Sequence, residues 1–204
     1  MSPSPPPPLA HLVDDDEAIR DALEWLFRTR QVAARAWASA EDFLAAWQPD
    51  WRGCIVLDIR MREMSGLECF DTLLERGCTL PVIFLTGHGD VPMAVGALKK
   101  GAFDFLEKPV DDNALVDVVI RALAADARHH ANEETQATVA TRLAHLTPRE
   151  VEVMQRVLAG KFNKVIADEL HISMRTVEVH RSRVFEKMGV RSAVELAQML
   201  APRD

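Results

Sequence analysis

Three charged stretches, far apart in the chain, each follow a short apolar run. Asp14-Asp15-Asp16 follow Leu12-Val13, Asp58 follows Cys54-Ile55-Val56-Leu57, and Lys108-Pro109 follow Phe105-Leu106-Glu107. Short apolar runs bounded by turn residues read as buried strands. In an open α/β sheet the residues just past the carboxyl ends of the strands converge on one crevice. The pattern therefore brings three or four carboxylates and one lysine to one place. Clustered carboxylates raise one another's pKa unless a cation joins them. Hard oxygen donors with few dedicated protein contacts suit Mg²⁺, which is readily shared with phosphate. A lysine point charge opposite them suits a phosphoryl group. The chemistry implied is phosphate on, or next to, a carboxylate.

The elements that must position these residues alternate along the first part of the chain. Strands are expected at Ala10–Val13, Val32–Trp37, Cys54–Leu57, Val82–Leu85 and Phe103–Leu106. Helices are expected at Glu17–Arg30, Ala40–Trp47, Gly66–Arg76, Pro92–Lys100 and Asp112–Ala127. Five βα units predict a doubly wound, five-stranded parallel sheet covered on both faces. Gly77 and Gly101 fall where helix C-terminal caps belong. Met1–Pro8 carries the Pro5–Pro8 run and reads as a disordered tail rather than a signal peptide. From about Asp126 to Leu143 the apolar pattern thins. This stretch, residues 128–142, reads as a solvated linker whose helix formers allow it to extend the preceding helix. His129-His130 lack convergent partners for a metal.

A second unit opens at Thr147-Pro148-Arg149-Glu150, a capping box with proline at the first helical position. Val151, Met154, Val157 and Leu158 keep helical spacing up to Gly160. A second helix spans Asn163–Leu170, and His171-Ile172 make a turn. Ser173 caps a third helix ending at Met188 before Gly189, and the capping box Ser192–Glu195 opens a last helix to about Ala201. The third helix has an inward stripe of Val177, Val184 and Met188, with Phe185 beside it. Arg175, Glu178, Val179 and Ser182 share the opposite face. A helix of this diameter fits the major groove and presents such a face to base edges. Lys164, Arg175, Thr176 and Arg181 are placed to reach phosphates. Glu178 belongs on a DNA-facing surface only as an acceptor from a cytosine amino group or as a guide for a neighbouring arginine.

Bulk properties fit this division. The 204 residues suffice for one large or two small domains. The net charge of −7 alone argues against nucleic acid. However, residues 1–125 hold 12 Lys+Arg against 20 Asp+Glu, whereas Lys161–Arg191 hold 7 basic residues against 4 acidic. An acidic first domain and a locally basic second one follow. No apolar run approaches the roughly 20 residues of a membrane helix. Three cysteines without metal spacing argue for reduced thiols and a cytoplasmic setting.

The motifs of residues 9–127 resemble response-regulator receiver domains of two-component signalling, with the CheY/flavodoxin-like fold. The match lies in Leu12–Asp16, Val56–Met61, Met64–Glu68, Leu85–Pro92 and Gly101–Pro109. The resemblance implies that Asp58 accepts phosphoryl from a phosphohistidine on a sensor histidine kinase. Asp14, Asp15, Asp58 and the backbone carbonyl of Arg60 would hold Mg²⁺. Lys108, in a cis peptide bond to Pro109, would pair with a phosphate oxygen. Thr86 would turn its hydroxyl toward the phosphate, and Phe105 would rotate into the space vacated. One departure stands in the loop after Asp58, where the family's usual proline is Arg62. Proline would stiffen that loop, and its absence removes no catalytic group.

Residues 143–201, in a domain spanning 143–204, resemble the four-helix LuxR-type helix-turn-helix of the NarL/FixJ class. The resemblance rests on Leu146–Glu150, Gly160, Asn163-Lys164, Ile166-Ala167, Leu170, Ile172-Ser173, Arg175–Arg181, Lys187-Met188 and Ser192–Leu196. Both parts look closest to the FixJ subgroup, which shares the Thr86–Pro92 stretch. The resemblance implies a transcription regulator rather than an enzyme. Phosphorylation would favour a homodimer through Val91–Leu106, and the dimer would bind double-stranded promoter DNA and engage RNA polymerase. Three rivals are a haloacid-dehalogenase-like phosphatase, a regulator independent of phosphate and a pure interaction module. The first needs an acid two residues beyond Asp58, where Arg60 stands. The second predicts an incomplete acidic site, and the third leaves the C-terminal motifs unexplained.

Overall fold

The computed structural model describes residues 7–87 and 91–201, with the side chains of Val91, Pro92 and Ala94 left out of the description. Residues 1–6 of the proposed N-terminal tail, and His88-Gly89-Asp90 of the Thr86–Pro92 motif, lie outside the described residues. The chain divides into two compact units, Met1–His129 and His130–Asp204.

The first unit runs β1 (Leu9–Val13), α1 (Glu17–Thr29), β2 (Ala34–Trp37), α2 (Ala40–Ala46), β3 (Gly53–Asp58), α3 (Gly66–Glu75), β4 (Val82–Thr86), α4 (Val91–Lys99), β5 (Asp104–Glu107) and the start of α5 (Asp112–Ala144). All strand pairs are parallel, in the order β2-β1-β3-β4-β5. The order reverses between β1 and β3, so the carboxyl ends of those two strands flank the topological switch point. Every residue of β3 and β4 is buried, as a sheet covered on both faces requires. Alternation along the strands sends Ile55, Leu57 and Phe84 to one core with Phe43, Cys69 and Phe70. Val56, Ile83 and Leu85 go to the other with Phe27, Leu115 and Val119. Each such fully buried side chain contributes about 1.5–3 kcal/mol. The thiols are free, and burial pushes those of Cys54 and Cys69 up to about 12.

One boundary is corrected. The helix expected to stop at Ala127 continues as α5 to Ala144. Its second half is mostly exposed, so it carries little apolar periodicity. Ala, Glu, Gln and Arg nevertheless keep it helical by propensity. His130 pairs with Glu133 one turn on, at 3.3 Å, an ordinary helix-surface contact.

The second unit comprises the end of α5 with α6 (Pro148–Leu158), α7 (Asn163–Leu170), α8 (Met174–Met188) and α9 (Ala193–Leu200). The Thr147–Glu150 capping box forms with both of its bonds. Glu150 is only 2% exposed, and Lys187 donates to its carboxylate at 2.7 Å. That bond, the Thr147 backbone N–H and the Lys187 charge hold its carboxyl below the usual range against burial. The α7–α8 turn passes through left-handed His171, and Ser173 caps α8 through the Thr176 N–H. Met154, Val184, Met188 and Leu196 fill one core, and Val153, Ile166 and Val177 fill the other.

Candidate functional site

The loops after β1, β3 and β5 bring the three charged stretches together. Oxygen atoms of Asp14, Asp15 and Asp58 lie within 4.8 Å of one another, the one such group among the described residues. Asp14 and Asp58 are buried, at 3% and 6% exposure. Lys108 Nζ donates to Asp14 Oδ2 at 2.8 Å and to Asp58 Oδ1 at 2.6 Å. The Lys108-Pro109 peptide is cis. Asp16 is the N-cap of α1, accepting from Ala18 N–H at 2.9 Å, and its own N–H donates to Asp14 Oδ1 at 2.9 Å. Arg20 reaches back from α1 to the Asp14 carbonyl at 2.8 Å. The first aspartate is thereby fixed from both sides.

Burial raises the Asp58 pKa, and Asp14 adds to this. Bonds from Lys108 and the Arg60 backbone N–H offset only part of the rise. Burial lowers the Lys108 pKa, but its bonds to Asp14 and Asp58, with their charges, outweigh that and raise it overall. Lys108 is therefore a permanent cation, and one lysine does not satisfy the carboxylate group. The donor set is hard oxygen throughout, with carboxylate oxygens converging at a solvent-reachable edge through half-buried Asp15. That set fits Mg²⁺. The Arg60 carbonyl occupies the loop immediately after β3.

Thr86 ends β4, is fully buried, and donates its hydroxyl to the Gly87 carbonyl at 3.0 Å. Its carbonyl accepts from Lys108 N–H at 2.7 Å. Phe105, which pairs with Phe84 in the β4–β5 register, is half-buried against the core that Phe84 fills. Two residues named in the sequence without a contact at the site contribute to it. Gly66 starts α3 directly against the Asp58 backbone, where an added Cβ would fall 2.1 Å from the Asp58 carbonyl oxygen. Only glycine permits that approach. The signal in the sequence was its position after the N-cap Ser65 at a fixed distance from Asp58. The second is Arg62, whose Nε lies 3.3 Å from Asp15 Oδ2.

In the second unit, α7 and α8 form a helix-turn-helix. Val177, Val184 and Met188 are buried, while Arg175, Glu178, Val179 and Ser182 are exposed, as is Lys164 on α7. Thr176 shares its hydroxyl with Ser173 at 2.8 Å. Arg181 is half-buried. It donates to Asn163 Oδ1 and lies 5.7 Å over the Phe185 ring, bracing α8 against the start of α7.

A switch-point acidic crevice on a 2-1-3-4-5 sheet, followed by a helix-turn-helix, defines a class of transcriptional response regulator. Residues 10–120 match the response regulator receiver domain, and residues 144–200 match the luxR family of bacterial regulatory proteins. The chain is 52% identical over 191 residues to the C4-dicarboxylate transport transcriptional regulatory protein DctR of Rhodobacter capsulatus, covering 93% of this chain and 97% of that one. It is 45% identical to the transcriptional regulatory protein FixJ of Azorhizobium caulinodans, covering 95% and 94%. Among solved structures, the response regulator StyR aligns with a TM-score of 0.85 at 38% identity, covering 95% of this chain and 98% of that one. Full-length FixJ from B. japonicum aligns with a TM-score of 0.59 at 37% identity, covering 94% and 95%. The chain belongs to the two-component response regulators of the NarL/FixJ class. These are DNA-binding transcription regulators rather than enzymes, and the receiver implies a sensor kinase as partner. Among the described residues no helix is long and apolar enough to cross a membrane.

Proposed function

We propose that Asp58 is the phosphoacceptor of a cytoplasmic response regulator and receives phosphoryl from a sensor histidine kinase. The observation that carries this reading is the Lys108 ammonium held between Asp14 and Asp58 beside a third carboxylate. Asp14, Asp15, Asp58 and the Arg60 backbone carbonyl would hold Mg²⁺, which supplies positive charge for the transferring oxygens. Lys108 stays protonated and pairs with a phosphate oxygen. Thr86 exchanges its bond to Gly87 for one to phosphate, and Phe105 turns inward behind it, a bistable element biased by added charge.

Residues 9–127 act as the receiver, 128–142 as a helical linker and 143–204 as the DNA-binding domain. Phosphorylation promotes a homodimer through α4 and β5. In support, α4 leaves Met93, Val95 and Leu98 exposed. The dimer binds promoter half-sites, with Lys164, Arg175, Thr176 and Arg181 on phosphates and Glu178, Val179 and Ser182 facing bases, and engages RNA polymerase.

Incubation with a small-molecule phosphodonor and Mg²⁺ should label the protein at Asp58. Labelling should vanish in Asp58→Asn, in Asp15→Ala and on chelation. Phosphorylated protein should sediment as a dimer and bind DNA more tightly. Full labelling of Asp58→Asn would remove the assignment. Equal mass and affinity with and without phosphate would favour a regulator independent of phosphate.

A further inference from the structure

The three carboxylates of the crevice are not served by the same cation. Lys108 takes Asp14 and Asp58, whereas Asp15 faces outward and pairs with Arg62 at 3.3 Å. The Arg62 side chain is 87% exposed, against 23% for Asp15. A guanidinium does not lose its proton at any pH the fold survives. It therefore stays charged beside Asp15, on a loop that has no proline to restrain it. A divalent ion bound across this group needs the same carboxylate edge, and two cations on one edge repel. Mg²⁺ demands near-ideal octahedral geometry and does not share a ligand loosely. An exposed arginine–carboxylate pair is weak and yields. The cleft that Arg62 lines also holds Glu41 and Glu63, so a released guanidinium has other carboxylates to turn to.

We propose that Arg62 is a displaceable counter-ion for Asp15, one that a divalent cation must release in order to bind. Arg62 thereby sets how much Mg²⁺ the receiver needs before it can be phosphorylated. It acts through Asp15 and is a positioning residue, and the proposal rests on the reading of the acidic group as a Mg²⁺ site.

The test is calorimetric titration of MgCl₂ into the full-length protein and its variants at low and high ionic strength. Arg62→Gln should bind Mg²⁺ about two- to fivefold more tightly, with the gap narrowing as salt screens the pair. Arg62→Lys, which keeps the charge, should restore most of the wild-type value. Arg28→Gln, which removes one exposed positive charge in the last turn of α1, should leave the isotherm unchanged. An unchanged affinity in Arg62→Gln overturns the proposal. An equal gain in Arg28→Gln also overturns it, because the effect would then belong to net charge. A wild-type protein whose Mg²⁺ heat survives Asp15→Asn and Asp58→Asn would instead overturn the metal site itself, and the proposal with it.

Discussion

The two units use charge in opposite ways. In the receiver, residues separated by up to 94 positions in sequence are driven together, and the acidic excess is left incompletely neutralised in a buried crevice. In the DNA-binding unit several acids are held in ion pairs. Glu150 is taken by Lys187, Glu169 by Arg156 and Lys161, and Glu152 by Arg149. Arg175 and Lys164 remain exposed. One unit concentrates unsatisfied charge where a small cation and a phosphoryl group can enter. The other pairs Glu150, Glu152 and Glu169 with cations and leaves Lys164 and Arg175 exposed, with Glu178 beside them. The chain's net charge of −7 averages the two and describes neither.

The receiver's crevice depends most sharply on Gly66. A methyl group there would collide with the Asp58 backbone at 2.1 Å, and forced overpacking costs about 1–3 kcal/mol. Gly66→Ala should reduce phosphoryl uptake from a small-molecule donor by roughly tenfold or more, by displacing Asp58. Binding of the same variant to DNA without phosphodonor should match the parent. Wild-type labelling rates would mean that the loop absorbs the methyl group and that Asp58 is not held by close packing.

A smaller effect sharpens the other half. Lys164→Ala should weaken binding to all DNA sequences alike and lower the salt slope by about one. Glu178→Ala and Val179→Ala should instead change which bases are preferred, by about 1–3 kcal/mol at a given position. Site selection with each variant separates the two. A consensus unchanged in both Glu178→Ala and Val179→Ala would mean that this face of α8 does not read bases.

The smallest effect concerns the paired acids. The Glu150 carboxyl is held below its ordinary value in the fold. The stability it contributes is therefore present above the unfolded carboxylate pKa of about 4.3 and is lost as pH falls through the lower folded value. Thermal melts of Glu150→Gln against the parent should differ most near neutrality and converge only once pH has fallen below the lowered folded value. A gap that does not shrink in acid would assign the role to packing rather than charge.

The sheet and its crevice were legible because parallel topology turns a one-dimensional rule, charge after an apolar run, into a three-dimensional convergence. Asp14, Asp58 and Lys108 obey it. The helix-turn-helix was legible from capping residues such as Thr147, Ser173 and Ser192, which are local by nature. Gly66 against Asp58 and Arg62 against Asp15 were not legible as contacts, since both depend on how a loop closes after β3. The end of α5 was left open, as a linker able to extend the helix, for another reason. Apolar periodicity measures burial rather than helicity, and beyond Ala127 the helix has little to bury. Arg181 shows the same limit from the other side. Its place on α8 suits DNA, yet nothing in its spacing announces the bond to Asn163 or the stack on Phe185.

An aromatic cluster backs the first acidic residue of the crevice. Trp37 is buried at the end of β2, and its carbonyl accepts from the Asp14 N–H at 3.3 Å. Its indole N–H donates to His11, which stacks on Trp51 with ring centroids 4.4 Å apart. Burial, with help from Arg35, lowers the His11 pKa to about 4, so the imidazole stays uncharged through the physiological range. Trp37 thus joins the backbone of the first acidic residue to an aromatic cluster whose one imidazole carries no charge near neutral pH.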